Sequence, residues 1–306
     1  MSNCPICKNS MLPSFYMKKD GVDFFECESC TSIYADPEFI RQIDSGVVVN
    51  YSSQYWNDEL ASSKARSYGS TLVRFAELFI YSRVEIKKIL DIGTGPGFFL
   101  DACSELLPKL SKNIYGVELF PPPIHTNSSN YIIGGLSDLS EKYETGICIE
   151  VIEHLTPKML DGLARDLAKV ASTGALFYFN SANPVFVKKE EGAYLDPKIR
   201  GHIVSYSIAG LKTIFEKYGF KVIPIPGRDY GFLVEYLTLD SKFITIEERI
   251  NNPLQVNINF LRSDKFGEMF YSMGVESARC YQLQALLSER THWALSLAKR
   301  ISDMGL

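Results

Sequence analysis

Two carboxylates and an imidazole crowd the end of one apolar segment, which reads CIEVIEHL over residues 148–155. A buried strand gains nothing structural from charged groups such as Glu150, Glu153 and His154 at its end. In one interpretation Glu150 lines a cofactor pocket while the other two cap the following helix. In a second, His154 is a general base that works near neutral pH. In a third, the three side chains bind a divalent ion.

Four cysteines in the first thirty residues form two CxxC pairs, Cys4 with Cys7 and Cys27 with Cys30. Four thiolates at this spacing are typical of tetrahedral zinc sites. A Lys-Asp-Gly turn between aromatic runs predicts a β-hairpin between the pairs. We therefore expect a structural zinc ribbon whose metal has no free position for catalysis. The alternatives are unrelated buried thiols and a redox CxxC, although the latter would need a thioredoxin-like βαβ pattern that the sequence lacks.

A glycine loop, GTGPG over residues 93–97, follows the predicted strand Ile89–Ile92 and leads into a helix that begins near Phe98. Its backbone can turn tightly and approach a ligand, and the helix N-terminus presents unpaired N–H groups. The spacing GxGxG disfavours a dinucleotide site, and the missing Gly-Lys-Ser/Thr ending excludes a P-loop. The next predicted strand ends at Glu118, whose carboxylate can accept hydrogen bonds from both hydroxyls of a ribose. Loop and acid together predict a nucleoside site.

Predicted strands and helices alternate through the middle of the chain. This alternation predicts an α/β fold, with a parallel sheet covered on both faces and ligands at the carboxyl ends of its strands. The C-terminal part has the apolar spacing of one long or two shorter helices, and it can cap the site, contact the ribbon or form a homodimer interface. The expected regions are a zinc ribbon at 1–40, a helical linker at 41–84, a cofactor-binding domain at 85–240 and a C-terminal helical extension at 241–306.

The motif Asp91–Gly97, Glu118 and the segment IEVIEHL together resemble the class I S-adenosylmethionine-dependent methyltransferases, over about residues 85–240. The resemblance implies a Rossmann-like, seven-stranded, mostly parallel sheet with an antiparallel last strand. It implies that Asp91 and the glycines hold the methionine part of S-adenosylmethionine and that Glu118 holds the ribose. The cofactor-binding residues implied in this way are Asp91, Gly93, Thr94, Gly95, Gly97, Phe98, Glu118, Leu119, Ser137, Asp138 and Glu150.

The chain departs from the family at one adenine-binding position. Many members carry an acid directly after the third strand, where this chain has Gly135. The resemblance places Ser137 and Asp138 in the loop that flanks the adenine. The adenine contact therefore falls to Asp138 or to a backbone amide.

The EVIEH segment also resembles the divalent-cation segment of ubiquinone-pathway O-methyltransferases and of small-RNA 3′-terminal 2′-O-methyltransferases. The RNA enzymes take a further histidine from beyond the fifth strand, and His202 is the candidate here. This resemblance implies Glu153, His154 and His202 as catalytic residues. It also implies a candidate second metal site, for a divalent cation, made of Glu150, Glu153, His154 and His202.

A CxxC ribbon placed before such a domain resembles bacterial methyltransferases associated with sugar and surface-polysaccharide biosynthesis. The implied activity is O-methylation of a hydroxyl on a sugar or glycan precursor. Related deoxysugar C-methyltransferases carry a larger C-terminal domain, which disfavours C-methylation. An RNA 2′-O-methyltransferase is one alternative, and a non-catalytic cofactor-binding module whose ribbon docks a partner is another.

The composition limits the partners and the location. The 306 residues carry a net charge of −4 without a basic run, which argues against nucleic acid as a partner. No apolar window approaches the length of a membrane span. The N-terminus has no signal pattern. We therefore expect a cytoplasmic protein that has no membrane partner and acts on a small molecule or glycan.

Overall fold

The N-terminal part of the chain forms strands of a small sheet and one short helix. The structure is a computed structural model, and it describes residues 3–10, 13–47, 53–237 and 243–303. β1 and β2 form the predicted hairpin around Asp20 and Gly21, which both have the positive φ of a tight two-residue turn. The first elements are β1 (Ser14–Lys19), β2 (Val22–Glu26), β3 (Ile33–Ala35) and α1 (Pro37–Asp44).

The middle part alternates strands and helices, as the sequence predicts. Its elements in chain order are α2 (Ser53–Ser67), α3 (Ser70–Tyr81), β4 (Ile89–Ile92), α4 (Phe98–Leu106), β5 (Ile114–Glu118), β6 (Tyr131–Ile133), β7 (Tyr143–Ile149), α5 (Pro157–Val170), β8 (Ala171–Ala182), α6 (Pro184–Lys189), β9 (Val204–Ser205), α7 (Ile208–Phe215), β10 (Phe220–Pro224) and β11 (Tyr230–Tyr236).

Seven of these strands form one large sheet, in the order β10-β11-β8-β7-β4-β5-β6. Neighbouring strands are parallel except in the two pairs that involve β11. The predicted α/β class is therefore confirmed, including the mostly parallel seven-stranded sheet and its antiparallel last strand.

The large sheet separates two apolar cores. In β4, Leu90 and Ile92 contribute to one core and Ile89 to the other, because successive side chains of a strand point to opposite faces. The first core includes residues of α5, α7 and the small sheet. The second core includes residues of α3 and α4 and of three C-terminal helices, so helices cover both faces as predicted. These helices are α8 (Ile246–Asn251), α9 (Gln255–Arg262) and α10 (Gly267–Asp303).

The small sheet is joined to the main domain through β9, which lies between α6 and α7. Its Val204 and Ser205 pair with Tyr34 and Ile33 of β3, which gives the small sheet the order β1-β2-β3-β9. A strand that follows the large-sheet strand β8 in the chain thus completes the small sheet. The domain boundaries at residues 40, 84 and 240 stay predictions.

The C-terminal extension ends in one long helix rather than two shorter ones. α10 has 37 residues and follows the short helices α8 and α9. Across the described ranges, no helix is long and apolar enough to cross a membrane.

Candidate active site

The glycine loop lies at the carboxyl end of β4, in the middle of the large sheet between β5 and β7. Gly93 and Gly97 have left-handed φ values of 67° and 77°. A Cβ atom on Gly93 would lie 2.7 Å from Val151 Cγ2, and one on Gly97 would lie 2.3 Å from Thr126 Cγ2. Both positions require glycine, for the backbone conformation and for the close approach of the neighbouring chain.

Glu118 ends β5 and faces the glycine loop, with 8% of its surface exposed. Its Oε2 accepts a hydrogen bond from the Gly95 amide, and its Oε1 accepts one from the Phe120 amide, both at 2.8 Å. Burial raises the pKa of Glu118, and the two amide bonds oppose that rise. Each carboxylate oxygen has a second acceptor position, so ribose hydroxyls can bind without displacing the loop.

Asp91 lies in β4 two residues before the glycine loop, and its side chain is buried. It accepts a hydrogen bond from Thr94 Oγ1 at 2.5 Å. Burial raises the pKa of the Asp91 carboxyl to about 7, which the Thr94 bond opposes and the nearby Glu118 charge reinforces. An ammonium group placed beside Asp91 would favour the charged carboxylate, and the methionine end of the predicted cofactor carries such a group.

An outer cavity of about 440 Å³ opens beside the ends of β5 and β6 and the start of α5. This volume is in the range of small-molecule sites. The predicted residues Leu119, Ser137 and Asp138 line the cavity, and Asp138 also accepts a hydrogen bond from the Gly135 amide at 2.8 Å. Sequence reasoning missed the apolar wall, because its side chains are ordinary core and helix residues by type. That wall is made of Leu136, Val151, Leu155, Met159 and Leu163.

An inner cavity of about 70 Å³ adjoins the outer one at Gly93, Gly95 and Glu150, which line both. Asp91 and Thr94 also line it, and polar side chains from α2 and α3 close it. Sequence reasoning missed the residues from α2 and α3 because no recognised motif marks these two helices. They are Glu59, Ser63, Arg66, Ser67 and Thr71.

Arg66 is the cation among the residues that close the inner cavity. It forms an ion pair with Glu59 at 3.1 Å. A guanidinium group binds carboxylates with paired hydrogen bonds. Arg66 is therefore the candidate partner for the carboxylate of a bound amino acid group.

Phe98 was predicted to bind the cofactor, but the structure places it elsewhere. It lines a separate surface depression together with Asp101 and His125. The ammonium of Lys64 lies 5.9 Å from the centre of its ring. Phe98 begins α4 without facing either of the two cavities.

Glu150 follows β7 in a left-handed backbone conformation, with φ of 55°. Non-glycine residues in this region are strained and cluster at functional sites. Its carboxylate accepts hydrogen bonds from Asn180 Nδ2 at 2.6 Å and from the Tyr230 hydroxyl at 2.8 Å. Burial raises the pKa of Glu150, and the bonds from Tyr230 and Asn180 oppose the rise. β8 and β11 thus hold Glu150 on the wall that both cavities share.

The structure brings Glu153, His154 and His202 together and leaves Glu150 outside this group. One ligand atom from each of the three lies within 4.8 Å of the others, and all three side chains are buried. The interpretation of Glu153 and His154 as helix caps is wrong, because Thr156 caps α5 by accepting a hydrogen bond from the Met159 amide.

Glu153 is fully buried, and neither of its oxygens has a hydrogen-bond partner within the described part of the chain. Ser181 and Tyr194 lie close enough to oppose the rise in its pKa, but neither meets the geometry of a hydrogen bond. Burial raises the pKa of Glu153 well above its ordinary value, and the Glu150 charge adds to the rise. A buried carboxyl group without partners is costly, so the site fits a ligand that would coordinate it.

The two imidazoles of the group are held in their neutral form. Burial lowers the pKa of His154 to about 3 and lowers that of His202 well below its ordinary value. His202 Nδ1 donates a hydrogen bond to the Tyr194 carbonyl at 2.9 Å. This leaves Nε2 as an acceptor, 4.0 Å from Glu153 Oε1. Neutral imidazole with a fixed Nδ1–H bond is the form in which histidine binds metals.

The four N-terminal cysteines cluster as the spacing predicts. Cys4 Sγ lies 4.0 Å from Cys30 Sγ, and Cys7 Sγ lies 3.7 Å from Cys27 Sγ. Zinc–sulfur bonds of about 2.3 Å in a tetrahedron place the sulfurs about 3.8 Å apart. These two separations are close to that value, and all four sulfurs lie within 4.8 Å of one another, so the cluster fits one tetrahedral ion.

The comparisons with known proteins cover the region of the large sheet. A family model described as a methyltransferase domain matches residues 62–225. No curated protein sequence matches the chain. DesVI from Streptomyces venezuelae is 14% identical to this chain, with a TM-score of 0.43. The match covers 60% of this chain and 97% of DesVI. CalS10, an amino pentose methyltransferase from Micromonospora echinaspora, is 11% identical to this chain, with a TM-score of 0.44. The match covers 62% of this chain and 98% of CalS10.

Proposed function

The chain belongs to the methyltransferase-domain family and uses S-adenosylmethionine, and we propose that its acceptor is a hydroxyl on a sugar or glycan precursor. The family rests on the match over residues 62–225. The observation that carries the acceptor proposal is the buried group of Glu153, His154 and His202. It lines neither cavity, but it lies close enough to Glu150, which lines both, for the Glu150 charge to raise the pKa of Glu153.

In this proposal the two cavities hold the two ends of the cofactor. The apolar outer cavity takes the adenosine, with the ribose hydroxyls at Glu118. The polar inner cavity takes the methionine end, with the amino group near Asp91 and the carboxylate near Arg66. The reactive methyl group then lies where the cavities meet, beside Gly93, Gly95 and Glu150. Transfer is in line from the sulfonium, and positioning supplies much of the rate.

On the acceptor side, polar groups surround the shared wall. Asn180 and Tyr230 each donate a hydrogen bond to Glu150, and the three groups can exchange these bonds for bonds to acceptor hydroxyls. Glu153, His154 and His202 would hold a divalent ion, which supplies an electrophile that orients vicinal hydroxyls and lowers the pKa of one. The uncompensated Glu153 oxygens favour this role over one in which His154 alone is a general base.

The proposal includes a structural zinc ion at Cys4, Cys7, Cys27 and Cys30. The sulfur separations and the burial of three of these side chains support it. With four thiolates, the ion has no open position and takes no part in the reaction. Its role is to hold the ribbon, which packs against the loop that carries His202.

Two alternatives compete with the sugar hydroxyl. An RNA 2′-hydroxyl shares the chemistry of the Glu153 group, but the net charge of −4 gives little attraction for phosphates. A non-catalytic module would bind the cofactor without transferring its methyl group. A cytoplasmic location stays a prediction from the sequence.

The test is a methyl-transfer screen with isotopically labelled S-adenosylmethionine. Nucleotide-activated sugars and a single-stranded RNA are incubated with the protein, with and without Mn²⁺, and the products are read by mass spectrometry. We expect label in a sugar, and its loss in Glu153→Gln while S-adenosylhomocysteine still binds. The exposed Glu191→Gln is the matched control. Label at the RNA end would replace the sugar proposal, and cofactor binding without any transfer would favour the non-catalytic module.

A further inference from the structure

The long C-terminal helix α10 has two halves with different surroundings. In the first half, Phe270, Gly274 and Ala278 are buried against the main domain. A Cβ atom on Gly274 would lie 3.0 Å from Ala76 of α3, so the two helices approach closely there. From residue 286 to residue 301 every side chain is exposed. Because the helix of 37 residues is about 55 Å long, a substantial part of it extends beyond the domain.

The second half of α10 carries an apolar face of its own. Its large apolar side chains are between 39% and 69% exposed. At about 100° per residue they fall on one side of the helix, and Leu295 is the exception on the other side. The members of this face, called the distal face, are Leu283, Leu286, Leu287, Trp293, Leu297 and Ile301.

The distal face points away from the domain. A helical projection places it about 160° from the line through Phe270, Gly274 and Ala278. The domain still contacts the helix at Tyr281, whose carbonyl oxygen would lie 2.3 Å from a Cβ on Gly227. A straight helix therefore cannot bury the distal face against the same domain. Most of the stability of a helix in a protein comes from packing of its apolar face, and a continuous exposed apolar face marks an interaction surface.

We propose that a second copy of the chain covers the distal face, in a parallel two-stranded coiled coil. In the heptad repeat, Leu283 and Leu297 take a positions, with Leu286 and Trp293 at d. Arg300 takes the last d position, near the end of the helix, where its long side chain can reach solvent. Arg290 is the polar residue at the a position between the two leucines. A single polar a residue fixes register and strand number at a cost in stability.

Charge complementarity identifies a second copy as the partner. Glu289 takes the g position directly before Arg290, so in a parallel pair each guanidinium lies beside Glu289 of the other copy. Antiparallel pairing about the same centre would place the two Glu289 side chains opposite each other. A lipid surface fits less well, because Arg290 interrupts the apolar face and because Glu289 and Asp303 offset two of the three cations, which are Arg290, Lys299 and Arg300.

Sedimentation equilibrium of the full chain tests the dimer. We expect a mass of twice 34.5 kDa at micromolar concentration, and a dissociation constant raised at least tenfold in Leu283→Glu. Leu295→Glu is the matched control, since the two leucines are 65% and 66% exposed on different sides of the helix. Unchanged binding of S-adenosylhomocysteine shows that each variant is folded. A wild type that stays monomeric at 100 µM overturns the proposal, as does an equal effect of Leu295→Glu.

Charge reversal and cross-linking test the orientation. Arg290→Glu and Glu289→Arg should each raise the dissociation constant about tenfold, and the double variant should restore it. In a Cys280→Ser background, Leu297→Cys should form an intermolecular disulfide, because a positions meet only in a parallel pair. No rescue and no disulfide would overturn the parallel arrangement. A monomer that sediments with phosphatidylglycerol vesicles would make lipid the partner instead.

Discussion

The ribbon and the crevice both gather metal-ligating side chains, but in opposite energetic settings. The crevice here means the two cavities at the ends of β4, β5 and β7 together with the buried group of Glu153, His154 and His202. In the ribbon, four sulfurs lie within 4.8 Å of one another, a cluster that fits one tetrahedral ion. In the crevice, Glu153 is buried in the core of the domain without a hydrogen-bond partner among the described residues. A metal in the ribbon would hold a small sheet together, whereas the crevice holds a group that the fold alone does not satisfy.

We propose that this difference separates a structural site from a functional one. Structural zinc adds its binding free energy to folding. Functional groups are commonly kept at a cost to stability. Removing a ligand should therefore change the free energy of unfolding in opposite directions in the two regions.

The largest effect is expected for Cys27→Ser in the ribbon. Loss of one thiolate should release about one zinc ion per chain and lower the free energy of unfolding by more than about 4 kcal/mol. Metal analysis and chemical denaturation measure the two quantities. Cys280→Ser is the control, because Cys280 is exposed on α10. A Cys27→Ser variant that keeps both its zinc and its stability would contradict a structural zinc ion at the four cysteines.

Glu153→Gln should raise the free energy of unfolding, whereas Cys27→Ser lowers it. Without a divalent ion in the crevice, the variant should unfold at a free energy about 1–3 kcal/mol higher than the wild type at pH 8, because a neutral amide avoids the cost of keeping an ionisable carboxyl buried there. Because burial raises the pKa of Glu153, its contribution to stability is present at low pH and lost as pH rises above the ordinary value. Denaturation at pH 5 and pH 8, with the ribbon metal retained, should show a smaller pH dependence in the variant. Destabilisation like that of Cys27→Ser would make Glu153 a structural residue.

We expect Asp91 to give the crevice a pH-dependent affinity for the cofactor. The pKa of its carboxyl is about 7, and a cationic amino group binds the ionised form better. The affinity for S-adenosylhomocysteine should therefore rise with pH up to about 7, by at most about tenfold per unit, and stay constant above that. Calorimetry between pH 5.5 and 8.5 measures it. Asp91→Asn should bind more weakly with a flat profile, and a wild-type profile that is equally flat would contradict this role.

The smallest effect is expected at the connection between the two regions. The Ser207 hydroxyl caps α7 and donates a hydrogen bond to the Cys30 carbonyl, close to the strand that leads from His202. Ser207→Ala should cost about 1 kcal/mol of unfolding free energy and weaken Mn²⁺ binding in the crevice. Thr245→Ala, which removes the cap of the distant α8, is the control for Mn²⁺ binding. Equal Mn²⁺ affinities in the two variants would show that the hydrogen bonds of Ser207 do not affect metal binding in the crevice.

The parts that the sequence predicted are those that local chemistry determines. The CxxC spacing, the glycine loop and the strand that ends at Glu118 each lie within a short segment, and the structure contains all three. The alternation of strands and helices was enough to predict the parallel sheet, because parallel neighbours are usually connected through a helix.

The parts that the sequence missed depend on packing between distant segments. Arg66 lines the inner cavity because α2 packs beside the glycine loop. No motif in the sequence identifies Arg66 as a site residue. Glu150 was grouped with Glu153 because they are close in sequence. The left-handed turn at Glu150 aims its side chain at Asn180 and Tyr230 instead. The pairing of β9 with β3 is equally non-local.

The central claim is that S-adenosylmethionine binds along the glycine loop with its ribose held by Glu118. Titration calorimetry with S-adenosylhomocysteine tests it most directly, on the wild type and on Glu118→Gln. We predict one site per chain in the wild type and an affinity at least tenfold lower in the variant, because a carboxylate that accepts two ribose hydroxyls is lost. A folded wild type that gives no binding heat, or a variant that binds as tightly as the wild type, would contradict the claim.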